Sequence, residues 1–342
     1  MNSVSNITAK VIVSLRDGVV ARIRRNALFI STLLFLAGVL VSCSSSEPEQ
    51  PAPYKGLTFS IERLPPSRPG EVYALWLEKP ILAAPGQTKP LHGVNLSELV
   101  TLFTINSKGQ MIGFDTASLY TKLDLKNTIL EAEVSIEASS VIGPNPSNIV
   151  MAGDAVNQGN TREITFSSFH RFAFSDSLFG THGEAVLASA PDKPENYKHE
   201  FYFMRRDAQQ NLSAGLTSFK LLKEPWRYGL WVIDSSVQPA KAAFLGFPYD
   251  ASLPDAKGGK DSYPFPGGRV PVDSTAEAWD LTTGSMTVLL TLESRTSVKD
   301  PSQPSGLILL KGTIPTNAQP FAPFSVENQS SNLPTGTVRL IK

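Results

Sequence analysis

Apolar and polar residues alternate with a period of two along much of this chain, the repeat of a β-strand. In Val72-Tyr-Ala-Leu-Trp-Leu77, residues 72, 74 and 76 share one face and 73, 75 and 77 the other. Both faces are apolar, which predicts a central strand covered on two sides. In Glu131-Ala-Glu-Val-Ser-Ile-Glu137, polar residues at 131, 133, 135 and 137 alternate with Ala132, Val134 and Ile136. That pattern predicts a half-exposed strand with its carboxylates on a solvated face. Further strands are expected at residues 163–168, 184–188, 199–204, 243–247 and 336–341. Turn clusters such as Asn106-Ser-Lys-Gly109 and Asn145-Pro-Ser-Asn148 separate them. Helical signal is slight, with one or two turns expected at residues 95–102. Many short strands between turns imply an all-β protein, a sandwich or a barrel.

The pattern occurs twice. Gly56-Leu-Thr58 leads through a Pro-containing turn to Tyr73-Ala-Leu-Trp76, and Gly215-Leu-Thr217 leads likewise to Tyr228-Gly-Leu-Trp231. Downstream, a strand ending in Glu137 precedes Pro144-Asn-Pro-Ser147, and one ending in Glu293 precedes Pro301-Ser-Gln-Pro-Ser305. Matched features in one order imply an internal duplication. The expectation is two tandem β-sandwich-like domains, residues 55–208 and 212–342, joined by the polar stretch Arg205-Arg-Asp-Ala-Gln-Gln-Asn-Leu212.

The first forty residues differ from the rest. A basic cluster, Arg22, Arg24 and Arg25, precedes an apolar run, residues 27–41. At about 15 residues this run suits a signal-peptide core and is short of the roughly 20 that span a bilayer. It closes on Leu40-Val41-Ser42-Cys43, which resembles the lipobox of bacterial lipoproteins. The resemblance implies residues 1–42 as signal peptide, cleavage between Ser42 and Cys43, and lipid on Cys43. Residues 43–54 then form a lipidated, proline-rich flexible tether. Cys43 is also the only cysteine among 342 residues, so no internal disulfide exists to claim it. With Ser44 next in line, the same resemblance implies anchorage at the outer membrane.

Charge follows this division. Lysine and arginine balance aspartate and glutamate at 31 each, but residues 1–42 hold five basic side chains against one acid. The remainder carries 26 basic and 30 acidic residues, and a mildly acidic body offers no basic stripe for nucleic acid.

The Tyr-x-Leu-Trp strand, the later strand ending in Glu and the Pro-rich loop after it resemble the extracytoplasmic domain of anti-sigma-K-type factors. What the resemblance implies is the fold. Those factors place a cytoplasmic helical domain and a transmembrane helix ahead of this domain, and the stretch before Cys43 is expected to have room for neither. Sigma-factor binding is therefore not carried over.

Candidate chemistry is sparse. His92, His170, His182 and His199 lack the close spacing of metal ligands, and surface or strand roles are expected for them, with His170 and His182 able to meet across a hairpin. No Gly-x-Ser-x-Gly elbow occurs, no cysteine is left for a Cys–His pair, and Gly258-Gly-Lys260 lacks the earlier glycine of a phosphate loop. Glu137 and Glu293, at matched strand ends, are expected to be solvated or to cap the loops that follow. Trp76 and Trp231, with Tyr73 and Tyr228, are expected as core anchors, and Trp226 and Trp279 nearer the surface. Residues 250–271 have no counterpart in the first copy, and Tyr263, Phe265 and Arg269 make this the candidate binding loop. The sequence thus predicts no catalytic residue, metal or cofactor. It predicts a non-enzymatic lipoprotein, held to the membrane through Cys43, that binds an envelope protein or other envelope component through its loops. A structural spacer, or an accessory to envelope-stress signalling of the anti-sigma type, is the alternative.

Overall fold

The computed structural model describes residues 56–82, 90–114, 129–159, 161–253, 263–270, 279–295 and 302–341. The signal peptide, Ser42, Cys43 and the tether lie outside them.

The first half of the chain forms β1 (Gly56–Glu62), β2 (Glu71–Leu82), β3 (Pro90–Ile105), β4 (Met111–Ile112), β5 (Glu131–Ala138), β6 (Asn148–Gln158) and β7 (Thr161–Ser167). Next come β8 (His182–Leu187), β9 (Glu200–Tyr202), β10 (Met204–Arg206), β11 (Leu212–Ala214) and β12 (Leu216–Thr217). The second half adds β13 (Trp226–Asp234), β14 (Lys241–Gly246), β15 (Gly267–Arg269), β16 (Met286–Ser294), β17 (Ile308–Thr313), β18 (Phe324–Asn328) and β19 (Thr335–Ile341). Apart from four short 3-10 turns these are the regular elements of the described residues. The all-β expectation therefore holds.

Two large antiparallel sheets, one curved into a half-barrel and the other into a near-closed barrel, form two β domains. The first runs β1-β19-β7-β6-β5-β2-β3-β4, and the second has the path β14-β13-β16-β17-β18-β8-β9-β15, with β12 also on β8. The two share a common order. Each has a central Trp strand (β2 or β13), flanked by the strand that carries Glu137 or Glu293 one residue before its end (β5 or β16) and by β3 or β14. Two more antiparallel strands follow, β6 and β7 or β17 and β18.

Sheet membership does not divide at residues 208–212. The strand after β7 is β8, and it leaves the first sheet to pair with β18, Phe324 opposite Ala185. The strand after β18 is β19, which pairs with β7 from Ser167 opposite Thr335 to Thr161 opposite Ile341. Each sheet is thus completed by a strand from the other half of the chain. Both Gly-Leu-Thr segments lie beside these exchanged strands: β1 pairs with β19, and β12 with β8.

Residues 95–102 are not helical but part of β3. Leu75 pairs with Thr101 and Trp76 with Leu99, so Val100 is an extra residue bulged into the ladder. A bulge resets the alternation of faces: Leu96 lies opposite Lys79 on one face, while Leu99 and Leu102, three apart, share the other opposite Trp76 and Ala74. The exposures of these three leucines, 56%, 37% and 38%, against a buried Val100, show the result. The second correction concerns β5. Glu131, Glu133, Ser135 and Glu137 are all buried, so the face expected to meet solvent is covered.

The alternate face of β5, Ala132, Val134 and Ile136, joins Tyr73, Leu75 and Leu77 in a core that also includes Tyr228, Leu230, Val232, Val288, Leu290 and Leu292.

Candidate functional site

Trp76 and Trp231 are nearly inaccessible, at 1% and 0% exposed, and each starts a hydrogen-bonded chain. Trp76 Nε1 donates to Ser135 Oγ at 2.9 Å, Ser135 donates to Glu137, and Glu137 accepts from Ser147 N at 2.8 Å. In the second sheet Trp231 Nε1 donates to Thr291 Oγ1 at 3.1 Å, Thr291 donates to Glu293 at 2.7 Å, and Glu293 accepts from Ser305 N at 3.0 Å. The registers match. Ala74 and Gly229, each two residues before the tryptophan, lie opposite Ser135 and Thr291 respectively. Tyr73 and Tyr228 complete the likeness, donating to the carbonyls of Pro65 and Lys220, each eight residues back. The tryptophans are core anchors, as expected. Glu137 and Glu293 cap the loops that follow, but they are buried rather than solvated.

The two carboxylates also belong to one polar seam. Ser294 Oγ donates to Asn148 Oδ1 at 2.7 Å, and Asn148 Nδ2 donates to Ser147 Oγ at 2.8 Å. Arg68, before β2, pairs with Glu71 and reaches Glu293 across the sheets, both at 2.7 Å. A buried carboxylate accepting from a hydroxyl, a backbone amide and a third donor is tied into structure on every side.

A different arrangement occupies the far end of β5. Glu78 on β2, Glu131 on β5 and Asp154 on β6 lie directly opposite one another across three adjacent strands. Glu133 lies two residues along on the same face as Glu131. Like charges opposed across strands repel, so something must offset them. The turn after β7 brings His170 and Arg171 over the cluster. Arg171 bonds Asp154 at 2.8 and 3.0 Å and Glu131 Oε2 at 3.2 Å. His170 faces both acids, with Nδ1 3.3 Å from Glu131 Oε1 and Nε2 3.3 Å from Asp154 Oδ2.

Burial, then the neighbouring charges of Glu133 and Glu78, pushes Glu131 up to about 8. Burial and Glu78 raise Glu133 to about 7. Asp154 is held below its ordinary value, chiefly by its hydrogen bond to Arg171. Sequence spacing missed this cluster because its members come from three strands and a turn. The signal available was the pair of glutamates on one strand face, which was read as solvated. Of the other histidines, His182 is exposed, His199 bonds the Trp279 carbonyl through Nδ1 at 2.9 Å, and His92 falls on β3 with its side chain outside the described residues. His170 meets Glu131 and Asp154 rather than His182.

The candidate loop is only partly open. Phe265 is 8% exposed and packs with Val186, Tyr202 and Met204 in a second small core. Tyr263 packs beside them, 5.1 Å from the Tyr202 ring, and donates to the Ser189 carbonyl at 3.0 Å. Arg269 is exposed on β15. Residues 254–262 lie outside the described residues.

Trp226 was expected near the surface and is buried, 4.7 Å edge-on from Phe174. Clefts of about 280, 440 and 120 Å³ adjoin it. Their rims expose Leu221 (71%), Tyr249 (50%) and Phe172 (44%), large apolar groups clustered on one part of the surface.

No family model matches this chain, and neither a curated protein nor a solved structure matches it.

Proposed function

We propose that the chain is a lipid-anchored, non-enzymatic envelope protein that binds a protein or other envelope component. The observation that carries the binding reading is the set of clefts around Trp226 with Leu221, Tyr249 and Phe172 on their rims. Clustered exposed apolar groups beside arginines are what recognition surfaces offer. Here Arg227 stacks 3.4 Å over the Phe247 ring, and Arg295 pairs with Glu224 at 2.5 Å. This moves the proposed surface away from Tyr263 and Phe265, which pack inward. The lipobox supports the anchor at Cys43, and the outer membrane is the address it implies.

We also infer that the two β domains descend from a duplication. The matched registers of the two Trp–hydroxyl–glutamate chains support this more strongly than the sequence likeness alone.

The experiment is capture from envelope extract by the full chain in detergent, set against Leu221→Asp and Tyr249→Ser variants of unchanged melting temperature. Capture lost in both variants supports the binding surface; equal capture by all three, or none by any, overturns it and leaves a spacer. Cys43→Ser separately tests the anchor: release from the membrane fraction is expected, and unchanged detergent partitioning overturns it.

A further inference from the structure

We propose that Glu131, Asp154 and His170 form a binding site for a divalent transition-metal ion, with Zn²⁺ the best-suited probe. One donor atom from each residue lies within 4.8 Å of the others. The donors are two carboxylates and one imidazole. Imidazole suits zinc and its first-row neighbours, and carboxylate tolerates them, whereas calcium takes six to eight oxygens.

Proximity alone would not distinguish this cluster from an ordinary acidic patch. The unsatisfied atoms do. Glu131 is 3% exposed, and its Oε1 has no hydrogen-bond partner; the same holds for His170 Nδ1, 3.3 Å away. Glu133 is 2% exposed, and its Oε2 also lacks a partner. Buried polar atoms are almost always satisfied, so two orphans that face each other, a carboxylate oxygen and an imidazole nitrogen, form the donor pair a cation would bridge. The 3.3 Å separation is long for a hydrogen bond. It matches the edge of a tetrahedron around zinc, roughly 3.3–3.4 Å for bonds of about 2.05 Å. The other ring nitrogen, Nε2, lies 3.3 Å from Asp154 Oδ2, so the imidazole stands between the two carboxylates.

Charge points the same way. Arg171 reaches Glu131 and Asp154, but its side chain is 57% exposed and it touches the other oxygen of Glu131, leaving Oε1 open toward His170. Among the described residues, one half-exposed guanidinium pairs with both Glu131 and Asp154.

The test is Zn²⁺ titration of the full chain in detergent at pH 7.5, read by calorimetry and by the metal-induced rise in melting temperature. One tight equivalent is expected for the wild type, with Ca²⁺ binding at least tenfold weaker. Glu131→Gln and His170→Gln should each weaken Zn²⁺ at least tenfold and abolish the thermal shift. Arg171→Ala, which removes the competing cation, should leave binding equal or tighter. Should a glutamine variant fail to fold, Asp154→Asn is the substitute, its side chain lying more than half exposed at the rim. Absence of a stoichiometric equivalent in the wild type overturns the site, as does Zn²⁺ binding undiminished by the substitutions. Equal affinity for Ca²⁺ overturns the assignment of the metal class. None of these outcomes bears on capture at the Trp226 clefts.

Discussion

The two sheets build the same tryptophan-to-carboxylate chain and distribute one carbon atom differently. In the first sheet Ala74 lies opposite Ser135; in the second Gly229 lies opposite Thr291. A methyl is present in each pair, on the Trp strand in one and on the hydroxyl side chain in the other. The reason is crowding. A Cβ at Gly229 would sit 2.7 Å from Glu293 Cγ and 3.0 Å from both Thr291 Oγ1 and Trp231 Nε1. Threonine is stiff at χ1 and yields poorly, while the serine in the first sheet leaves room for Ala74. The chain of hydrogen bonds is what the two sheets hold in common, and side-chain volume is traded around it.

Elsewhere the sheets part company. Where β5 has Glu131 and Glu133 opposite Glu78 and Trp76, β16 has Thr287 and Leu289 opposite Ile233 and Trp231. Among the described residues, the acid cluster belongs to the first sheet. The relay is therefore architecture common to both, and the cluster is an addition to one.

The comparison can be broken most severely by separating the halves. Residues 55–208 lack β19, and residues 212–342 lack β8 and β9. Neither half alone should show a cooperative melt, whereas co-expression should recover a folded complex. A cooperative transition in either isolated half would show the exchanged strands to be dispensable. Next in size is Gly229→Ala, expected to cost about 1–3 kcal/mol by overpacking. Adding Thr291→Ser, which copies the first sheet, should restore much of that loss in denaturant melts. Simple additivity of the two substitutions would refute the shared packing rule.

The smallest effect is a pH slope. Glu131 and Glu133 have folded values of about 8 and 7, above their ordinary 4.5. The folded state thus holds more protons than the unfolded between these limits, and stability falls as pH rises. The contribution is complete below about 4.5 and is lost through 7 and 8. Glu78, Asp154, Arg171 and His170 are the charged and titratable groups facing the pair. Glu133→Leu, borrowing the residue of the second sheet, should flatten the decline near pH 7 in the presence of chelator. An unchanged slope in denaturant midpoints would show that Glu133 titrates normally.

The fold class, both Trp strands and both capping glutamates were legible because they rest on local alternation and on a repeated order of residues. Three features were not. The bulge at Val100 broke the alternation of a strand, since one inserted residue puts Leu99 and Leu102, three apart, on one face. The burial of Glu131 and Glu133 was hidden because alternation reports which residues share a face, and cannot report whether that face is covered. The exchange of β8 and β19 was hidden because a tandem repeat reads the same whether each copy closes on itself or on its neighbour. His170 was visible as a residue, but its partners lie 16 and 39 positions away in sequence.

The position of β19 also governs when the first sheet can exist. Residues 335–341 stand between β7 and β1 in that sheet, so Thr335 must return to Ser167 and Gly336 to Ile61. A chain that emerges amino end first exposes β1 and β7 long before their shared neighbour has been made. Until then two strand edges stand unpaired, templates for any other nascent copy, and the closing contact has a high loop-closure cost. Closure of the first sheet therefore waits for the end of the chain, and a holding chaperone would matter more to this molecule than to one whose domains close in turn.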